Sequence, residues 1–293
     1  MTLRTTLIIA LIVVLGPWAG RSYPEDRPMN QNSLPAQPAR AAEFESLSPV
    51  VELRQYTLHP GQRDALIDLF EREFIESQEA LGARVIGEFR DLDNPDLFVW
   101  LRGFEDMTTR ARALTDFYSG PTWKAHSQAA NATMVDSDNV LLLRPVRPAS
   151  AFLLSPSLRP APSTMHAPAG LIVATIYYLR TSAAGDFPDW FDESLQPLLR
   201  DAGAVPFAAF VTEPSPNNFP RLPVREGENV FVWFGCFENQ AAYERHAAAL
   251  TRSATWREQT TQLASRLRNL PEVHRLTPAA RSLLRTCLPT ARR

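Results

Sequence analysis

Residues 98–106 read FVWLRGFED, and residues 231–239 repeat almost the same stretch as FVWFGCFEN. Both stretches are rich in the aromatic and β-branched residues that favour strands. The offset between Trp100 and Trp233 is 133 residues, and it recurs along the chain. The same offset separates Phe104 from Phe237, Trp123 from Trp256, and Pro145 from Pro278. This spacing predicts that one structural unit occurs twice.

The pattern of apolar residues around the first stretch predicts the element order βαββαβ. The predicted strands are VELRQYTL (51–58), ARVIGEFR (83–90), LFVWLRGF (97–104) and NVLLLRPV (139–146). Helical spacing runs from Arg63 to Leu81 and again after Asp106, where Ser119-Gly120-Pro121 breaks the second helix. This order is that of the ferredoxin-like fold, an antiparallel sheet with both helices on one face. The same order begins again at Leu171.

Earlier pairs of equivalent residues lie at smaller offsets, with Tyr56 matched to Tyr178 and Gly82 to Gly203. The additional residues of the second copy therefore fall in the loop at 213–229. At these offsets Glu52 becomes Ala174, Arg54 becomes Ile176, Arg84 becomes Val205, Glu88 becomes Ala209 and Arg102 becomes Gly235. The first sheet is thus predicted to be polar where the second is apolar.

A lone unit would leave the sheet face opposite its helices bare, and the strands carry bulky residues on both faces. Phe98, Trp100 and Arg102 alternate with Val99 and Leu101. A soluble protein rarely exposes such a face. The sequence therefore predicts an α+β fold in which tandem ferredoxin-like βαββαβ repeats close into a dimeric α/β-barrel within one chain.

The ends and the middle of the chain differ in composition from the two units. Residues 1–20 carry one Arg, an apolar run from Leu7 to Leu15 and then Gly16-Pro17, the order of a secretory signal too short to span a bilayer. The predicted division is a signal peptide at 1–22, a flexible Pro-rich tether at 23–48, the first unit at 49–147, a Pro-rich linker at 148–170, the second unit at 171–279 and a tail at 280–293. The protein is therefore predicted to be exported, periplasmic or secreted, or weakly anchored at its N-terminus.

Composition excludes several classes of partner and cofactor. The chain has 30 basic and 32 acidic residues, so no net charge attracts nucleic acid. Its two cysteines, Cys236 and Cys287, form no C-x-x-C pair, which indicates neither a disulfide scaffold nor a thiolate zinc site. Cys236 is predicted to be a small core residue. No metal site is predicted, because the five histidines include no i,i+4 pair.

The first unit resembles the NIPSNAP family of the dimeric α/β-barrel superfamily. The resemblance is carried by Glu52, Arg54 and Tyr56 on the first strand, the Pro-Gly turn after it, the aromatic third strand and Trp123. It covers residues 50–147 well and 171–278 more faintly. It implies a barrel of two ferredoxin-like halves, but the family has no generally established reaction.

Superfamily relatives include cofactor-free monooxygenases of polycyclic aromatics and heme-degrading enzymes. The heme-degrading enzymes resemble each other because each has an Asn on the first strand and a His soon after the Trp of the third strand. This chain has no Asn on that strand, and residues 110–112 are Arg-Ala-Arg. No cofactor is therefore predicted.

The predicted ligand-binding residues are Glu52, Arg54, Tyr56, Trp100, Arg102, Tyr178 and Trp233. On a shared face, they would line a cavity whose opposite wall, from the second sheet, is apolar and aromatic. This combination suits a small amphipathic or aromatic ligand. An arginine would hold an anionic group bidentately, and Tyr56, or Glu52 with a raised pKa, would exchange a proton. The alternative is that these residues form structural charge pairs between strands.

The function predicted from the sequence is binding of a small amphipathic or aromatic molecule, or of a protein partner. The alternative is a cofactor-independent monooxygenase acting on an aromatic substrate in the barrel cavity. The sequence names no catalytic residue for it. A further homo-oligomer is compatible with the pattern.

Overall fold

The computed structural model describes residues 45–285, so the predicted leader, the tether up to residue 44 and the tail after residue 285 lie outside the described residues. The strands are β1 (Glu45–Leu47), β2 (Val50–Leu58), β3 (Arg84–Asp91), β4 (Leu97–Phe104), β5 (Met134–Asp136), β6 (Val140–Pro145), β7 (Phe152–Leu154), β8 (Leu171–Tyr178), β9 (Val205–Thr212), β10 (Val230–Phe237) and β11 (Glu272–Pro278). The helices are α1 (Arg63–Leu69), α2 (Ile75–Glu79), α3 (Met107–Ser119), α4 (Pro121–Asn131), α5 (Phe187–Trp190), α6 (Gln196–Asp201), α7 (Gln240–Arg252) and α8 (Ala254–Arg266).

Local sequence explains where the long helices begin and end. Asp106 caps α3 by accepting a hydrogen bond from the Thr109 amide at 2.6 Å, and Asn239 caps α7 in the same way. Gly120 and Pro121 separate α3 from α4, as the sequence predicts. A five-residue π-helix joins α1 to α2, and another joins α5 to α6. Between residues 45 and 285, no helix is long and apolar enough to cross a membrane.

Eight antiparallel strands form a closed barrel. Their order is β4-β3-β11-β8-β10-β9-β6-β2, and β2 also pairs with β4, which closes the ring. β5 extends the sheet beyond β2. The part of the chain before residue 146 therefore supplies four neighbouring strands, and the part after residue 170 supplies the other four. The junctions between them are β3 with β11 and β6 with β9.

Side chains alternate between the two faces of each strand, so the buried side chains fall into three layers. Residues that point into the barrel include Leu53 and Leu101 from the first four strands and Ile176 and Phe234 from the others. Their neighbours in sequence point outward. One outer layer packs against α1–α4, and the other packs against α5–α8. The barrel interior is thus an apolar core, and Glu52, Arg54 and Arg102, which were predicted to form a site, do not face it.

Segments predicted to be linkers contribute to this core. Phe152, within the predicted linker, is fully buried, with its ring centroid 4.8 Å from Phe210 and 5.0 Å from Phe234. β1, within the predicted tether, pairs with β7. Leu283 and Leu284, which follow the last strand, also pack in the barrel core. Residues that composition alone assigned to connections therefore contribute to the barrel core.

Cys236 lies in the barrel core with 1% of its surface exposed, as predicted for a small core residue. It is also disulfide-bonded. One disulfide is not the disulfide scaffold that the sequence argued against, but the spacing of the cysteines did not indicate this bond. Sequence spacing fails here because a disulfide needs proximity in space, which the distance along the chain does not specify.

Candidate functional site

Five of the seven residues predicted to form a site lie together on the outer face of the first four strands. Strand pairing places Glu52 opposite Arg102 and Arg54 opposite Trp100, with Tyr56 further along β2. Glu52, Arg54 and Arg102 are fully buried. The face lies beneath α1–α4, so the prediction that these residues look across a cavity at the second sheet is wrong.

The carboxylate of Glu52 is shared by three arginines, which we call the arginine cluster: Arg54, Arg102 and Arg110. Arg54 Nη1 donates to Glu52 Oε2 at 2.7 Å, Arg102 Nη2 donates to the same oxygen at 2.6 Å, and Arg110 Nε donates to Oε1 at 2.7 Å. Burial alone would raise the pKa of Glu52, but the three guanidinium groups outweigh it and hold this pKa well below its usual range. Glu52 is therefore ionised, and the predicted proton exchange by a Glu52 of raised pKa is wrong.

Further nitrogen atoms of Arg54 and Arg102 also donate hydrogen bonds. Arg102 Nη1 donates to Gln78 Oε1 at 2.8 Å, and Arg54 Nε donates to the Tyr56 hydroxyl at 2.8 Å. Arg54 and Arg102 lie over the Trp100 ring, 5.6 Å and 5.0 Å from its centroid, within the range of cation–π attraction. These contacts fix both arginines in the layer beneath the helices.

The 213–229 loop reaches this cluster from the other half of the chain. Asn217 Oδ1 and Asn218 Oδ1 accept hydrogen bonds from Arg110 Nη1 at 3.0 Å and 2.7 Å. Phe219 stacks on Tyr118 with ring centroids 5.8 Å apart. A cavity of about 30 Å³ lies elsewhere in the first outer layer, where Tyr56, Gln78, Trp100, Tyr118 and otherwise apolar side chains line it. This volume is too small for a drug-sized ligand.

The second outer layer has the same strand pairing but different side chains. Val173 lies opposite Gly235, Thr175 opposite Trp233, and Tyr177 opposite Phe231. By pairing, these β8 residues take the places that Glu52, Arg54 and Tyr56 occupy on β2. The sequence comparison matched Tyr56 to Tyr178, whereas strand pairing matches it to Tyr177. The offset was one residue too long because strand patterns alone do not fix register.

A cavity of about 240 Å³ lies between this sheet face and helices α7 and α8. We call it the second-half cavity. Its lining includes Val173, Tyr177, Trp233, Tyr243, His246, Ala247 and Trp256. The space exists because valine, threonine and glycine stand where the first half has glutamate and two arginines. A Cβ atom on Gly235 would approach the Trp233 ring to 2.7 Å, so glycine also permits the position of that ring.

The second-half cavity has an apolar wall with a few polar groups. Burial lowers the pKa of His246, whose Nδ1 lies 3.2 Å from the Ala202 carbonyl oxygen. Burial raises the pKa of Tyr177 to about 12. Trp233 Nε1 donates to the Tyr177 hydroxyl at 3.4 Å. Both titratable groups are therefore neutral at pH 7, and the cavity presents hydrogen-bonding groups without charge.

Tyr178, predicted as a site residue, points to the opposite side of the sheet from Tyr177 and belongs to the barrel core. Its hydroxyl donates to Glu272 at 2.8 Å. His274 lies between Glu272 and Asp91, at 2.9 Å from each. Although burial opposes its charge, hydrogen bonds to these two carboxylates raise the pKa of His274 to about 9. Tyr178 therefore belongs to a polar network that is separate from both outer layers.

The predicted set thus divides among three places, and several residues of both outer layers were missed. Arg110 could have been found, because it lies on the apolar stripe of α3 with Ala113, Leu114 and Phe117. Tyr177 and His246 carry no comparable signal. The part played by Asn217 and Asn218 depends on a contact across more than 100 residues, which no local pattern reveals.

Known structures resemble this chain at low sequence identity. A protein from Lactobacillus acidophilus is 13% identical, with a TM-score of 0.47, and the match covers 82% of this chain and 100% of that one. An anthrone oxidase-like protein is 12% identical over 85% of this chain and 98% of its own, with a TM-score of 0.46. A NIPSNAP family protein from Agrobacterium tumefaciens is 22% identical over 33% of this chain and 91% of its own, with a TM-score of 0.31.

The search for similar curated proteins gave no match. The NIPSNAP family model, in contrast, matches residues 51–149. This range contains the β2 strand with Glu52, Arg54 and Tyr56, the β4 strand, and the broken helix pair α3 and α4. The resemblance predicted from those elements is confirmed for residues 51–149, which the NIPSNAP family model matches.

Proposed function

We propose that this protein binds a small, largely apolar aromatic molecule in the second-half cavity. The carrying observation is the cavity itself, about 240 Å³ between β8, β10 and the helices α7 and α8. An apolar wall with a small number of placed polar groups is the usual character of a small-molecule site. Between the two kinds of partner that the sequence leaves open, the cavity favours the small molecule.

Size and polarity narrow the class of ligand. An engineered cavity of about 150 Å³ in another protein binds benzene, so a cavity of about 240 Å³ suits a bicyclic aromatic. Tyr177 and His246 are both neutral, so a charged ligand would lose its hydration without gaining a counter-charge. A single hydroxyl on the ligand could pair with either group. A naphthol-sized phenol therefore fits this description.

Filling the second-half cavity should weaken binding of an aromatic ligand. We expect Ala247→Phe to weaken binding of 2-naphthol by about tenfold or more, because the added ring occupies the space that the ligand needs. Isothermal titration calorimetry with purified protein measures the dissociation constant. The matched control is Ala248→Phe, which places the same ring on the exposed face of α7.

The control variant should bind 2-naphthol as the wild type does. Equal affinities of the wild type and Ala247→Phe would contradict the proposal, because the ligand would then bind elsewhere. An equal loss in both variants would contradict it too, since the effect would arise from a general disturbance of α7. Circular dichroism of all three proteins verifies that the helices are intact.

The second candidate function is a cofactor-independent oxygenase, and the position of His246 favours it. When Nδ1–H donates to the Ala202 carbonyl, Nε2 keeps its lone pair and can act as a base. Removal of the proton from 2-naphthol would give a naphtholate that reduces O₂ by itself. A hydroperoxide at C1 would then lose water to give 1,2-naphthoquinone, so that one oxygen atom enters the product and one leaves as water. Oxygen consumption with quinone formation, lost in His246→Gln, distinguishes this function from binding alone.

We further propose that the two halves of the barrel are tandem ferredoxin-like copies. The strand orders support this. In one direction around the barrel, the first half reads β6-β2-β4-β3 and the second half reads β11-β8-β10-β9. In each half, this is the order of its fourth, first, third and second strand. The π-helices at Phe70–Phe74 and Phe191–Leu195 also take the same place in each half. The copies would then differ mainly in the side chains of their outer layers.

We also propose that the protein works in an oxidising compartment outside the cytoplasm. The sequence of residues 1–22 supports this as a secretory signal. The disulfide bond of Cys236 supports it independently, because disulfides persist in the periplasm or outside the cell and are rare in the cytosol. Cell fractionation of the full-length protein tests the proposal.

A further inference from the structure

We propose that a cavity at the junction of the two halves binds a small zwitterion, namely an amino acid with an apolar side chain. This junction cavity has a volume of about 560 Å³ and lies where β6 of the first half meets β9 of the second. Its lining includes Leu142, Arg144, Ser182, Glu213, Val224 and Arg225. It shares no lining residue with the second-half cavity, so either proposal can fail without the other.

The first observation is a pair of opposite charges on one face of the sheet. Arg144 lies opposite Val211 in the pairing of β6 with β9. The Glu213 amide donates to the Leu142 carbonyl oxygen at 2.9 Å, so this pairing continues one residue beyond β9. Arg144 and Glu213, which we call the diagonal pair, are therefore diagonal neighbours on the same face, a relation that places residues about 7–8 Å apart. Both line the junction cavity.

The second observation is that the two charges of the diagonal pair do not neutralise each other. Within residues 45–285, neither Arg144 nor Glu213 forms an ion pair, and the Arg144 guanidinium makes no hydrogen bond. Glu213 Oε1 accepts hydrogen bonds from the amide and the hydroxyl of Ser215, at 2.9 Å and 2.5 Å, which hold the carboxylate in place. Its other oxygen, Oε2, accepts none from the described residues. One positive and one negative group therefore remain available to a ligand.

The other charged groups of the junction cavity already have partners. Arg225 Nη2 pairs with Glu228 Oε1 at 2.6 Å, and Arg225 Nη1 donates to the Tyr178 hydroxyl at 2.8 Å. Glu226 Oε1 accepts a hydrogen bond from the Asn217 amide at 2.6 Å. The diagonal pair is therefore the place in this cavity where a ligand gains an unused counter-charge of each sign.

An amino acid supplies the two charges that the diagonal pair lacks. Its carboxylate binds the Arg144 guanidinium, because the forked set of N–H donors matches two carboxylate oxygens. Its ammonium group donates to Glu213 Oε2. The rest of the wall suits an apolar side chain, since it includes Leu142, Ala183, Pro214 and Val224. A ligand with charge of one sign would leave one member of the diagonal pair unused.

Equilibrium dialysis of the purified full chain with ¹⁴C-labelled L-leucine tests the proposal. We expect saturable binding of one leucine per chain, weakened by about tenfold or more in Arg144→Gln and in Glu213→Gln. Glutamine at position 213 keeps an oxygen atom that accepts the Ser215 hydrogen bonds, so the loss reports the charge. The matched control, Arg112→Gln, removes an exposed arginine of α3 and should bind leucine as the wild type does. Ala247→Phe, which fills the second-half cavity, should also leave leucine binding unchanged.

Two analogues assign each charge of the ligand to its residue. 4-Methylpentanoate is leucine without the amino group, and 3-methylbutylamine is leucine without the carboxylate. Line broadening of their NMR signals measures their affinities, and we expect each to bind the wild type about tenfold or more weakly than leucine. Arg144→Gln should further weaken binding of 4-methylpentanoate, whereas Glu213→Gln should not.

Three results would overturn the proposal. The first is no saturable binding of leucine by the wild type. The second is unchanged affinity for leucine in Arg144→Gln or in Glu213→Gln. The third is equal affinity of the wild type for leucine and for either analogue, since the site would then recognise a single charge and not a zwitterion. The analogue comparison uses the wild type alone, so it decides the matter even if a variant does not fold.

Discussion

Replacing Glu52 by glutamine is expected to lower the free energy of unfolding by about 3–5 kcal/mol at pH 7, because it leaves a buried ionic group without its partner. Three fully buried guanidinium groups share this one carboxylate. Glutamine keeps the size of the side chain and removes its charge, so the loss reports electrostatics and not packing. Urea unfolding followed by tryptophan fluorescence measures it.

The free energy of unfolding of the wild type should also depend on pH through Glu52. The pKa of Glu52 is lowered in the folded protein, so its contribution is present above the unfolded pKa near 4.5 and is lost as the pH falls below that value. Glu52→Gln should lack this part of the acid dependence. The two stability curves should therefore converge on acidification.

Two comparisons define the outcome for Glu52. Glu105→Gln removes an exposed carboxylate and should change the free energy of unfolding by no more than about 0.5 kcal/mol. The double variant Glu52→Gln/Arg102→Gln should be less destabilised than the sum of the single changes, because it removes one of the unpaired charges together with the carboxylate. A loss below about 1 kcal/mol in Glu52→Gln would contradict the prediction, because the arginine cluster would then be stable without this carboxylate.

Much of the fold could be predicted because its signals are local. The period-two pattern around Trp100 specifies a strand, and Gly120-Pro121 specifies the break between two helices. The repeated stretch at 231–239 predicts two copies of one unit, and bulky residues on both strand faces require a closed arrangement. The eight-stranded barrel satisfies that requirement. These inferences depend on neighbouring residues, so they needed no knowledge of distant contacts.

The site was harder to predict because strand alternation does not say which face is which. Phe98, Trp100 and Arg102 share one face, but the sequence could not decide between the barrel interior and the helices. A shift of one residue in the match of the first strands then exchanged Tyr177 for Tyr178, which lies on the other face. The period of a strand is two, so an error of one residue has the largest possible effect on side-chain direction.

The two outer layers have the same strand pairing but different side chains. The first layer is filled by long charged side chains that bind one another, and it retains a space of about 30 Å³. In the second layer, Val173, Thr175 and Gly235 are shorter at the paired positions, and a space of about 240 Å³ results. The contrast between a polar first sheet and an apolar second sheet was visible in the sequence. Its consequence for cavity volume was not, because volume depends on packing between elements.

A second large effect is expected from Glu88→Gln, which should stabilise the protein at alkaline pH. Glu88 on β3 is fully buried, and neither of its carboxyl oxygens has a hydrogen-bond partner in the described structure. Burial raises its pKa to about 8, against a smaller opposing attraction from Arg159. That arginine is already committed, because it pairs with Glu79 at 2.6 Å. Glu88 is therefore protonated in the folded protein at neutral pH.

The sign of the effect follows from linkage. The unfolded chain releases the Glu88 proton near pH 4.5, whereas the folded chain keeps it up to about pH 8, so wild-type stability falls as the pH rises between these values. Glutamine resembles the protonated acid and does not titrate. The stability difference between Glu88→Gln and the wild type should therefore be near zero at pH 4.5 and about 3–5 kcal/mol in favour of the variant at pH 9.

Urea unfolding of both proteins from pH 4.5 to pH 9 measures this difference directly. His274, whose pKa is raised to about 9, also reduces stability as the pH rises above 6.5, but it is present in both proteins and cancels in the difference. Glu105→Gln is again the control, and its curve should run parallel to that of the wild type. Parallel curves for Glu88→Gln and the wild type would contradict the prediction, because they would mean that the buried carboxyl has the same pKa in the folded and unfolded chains.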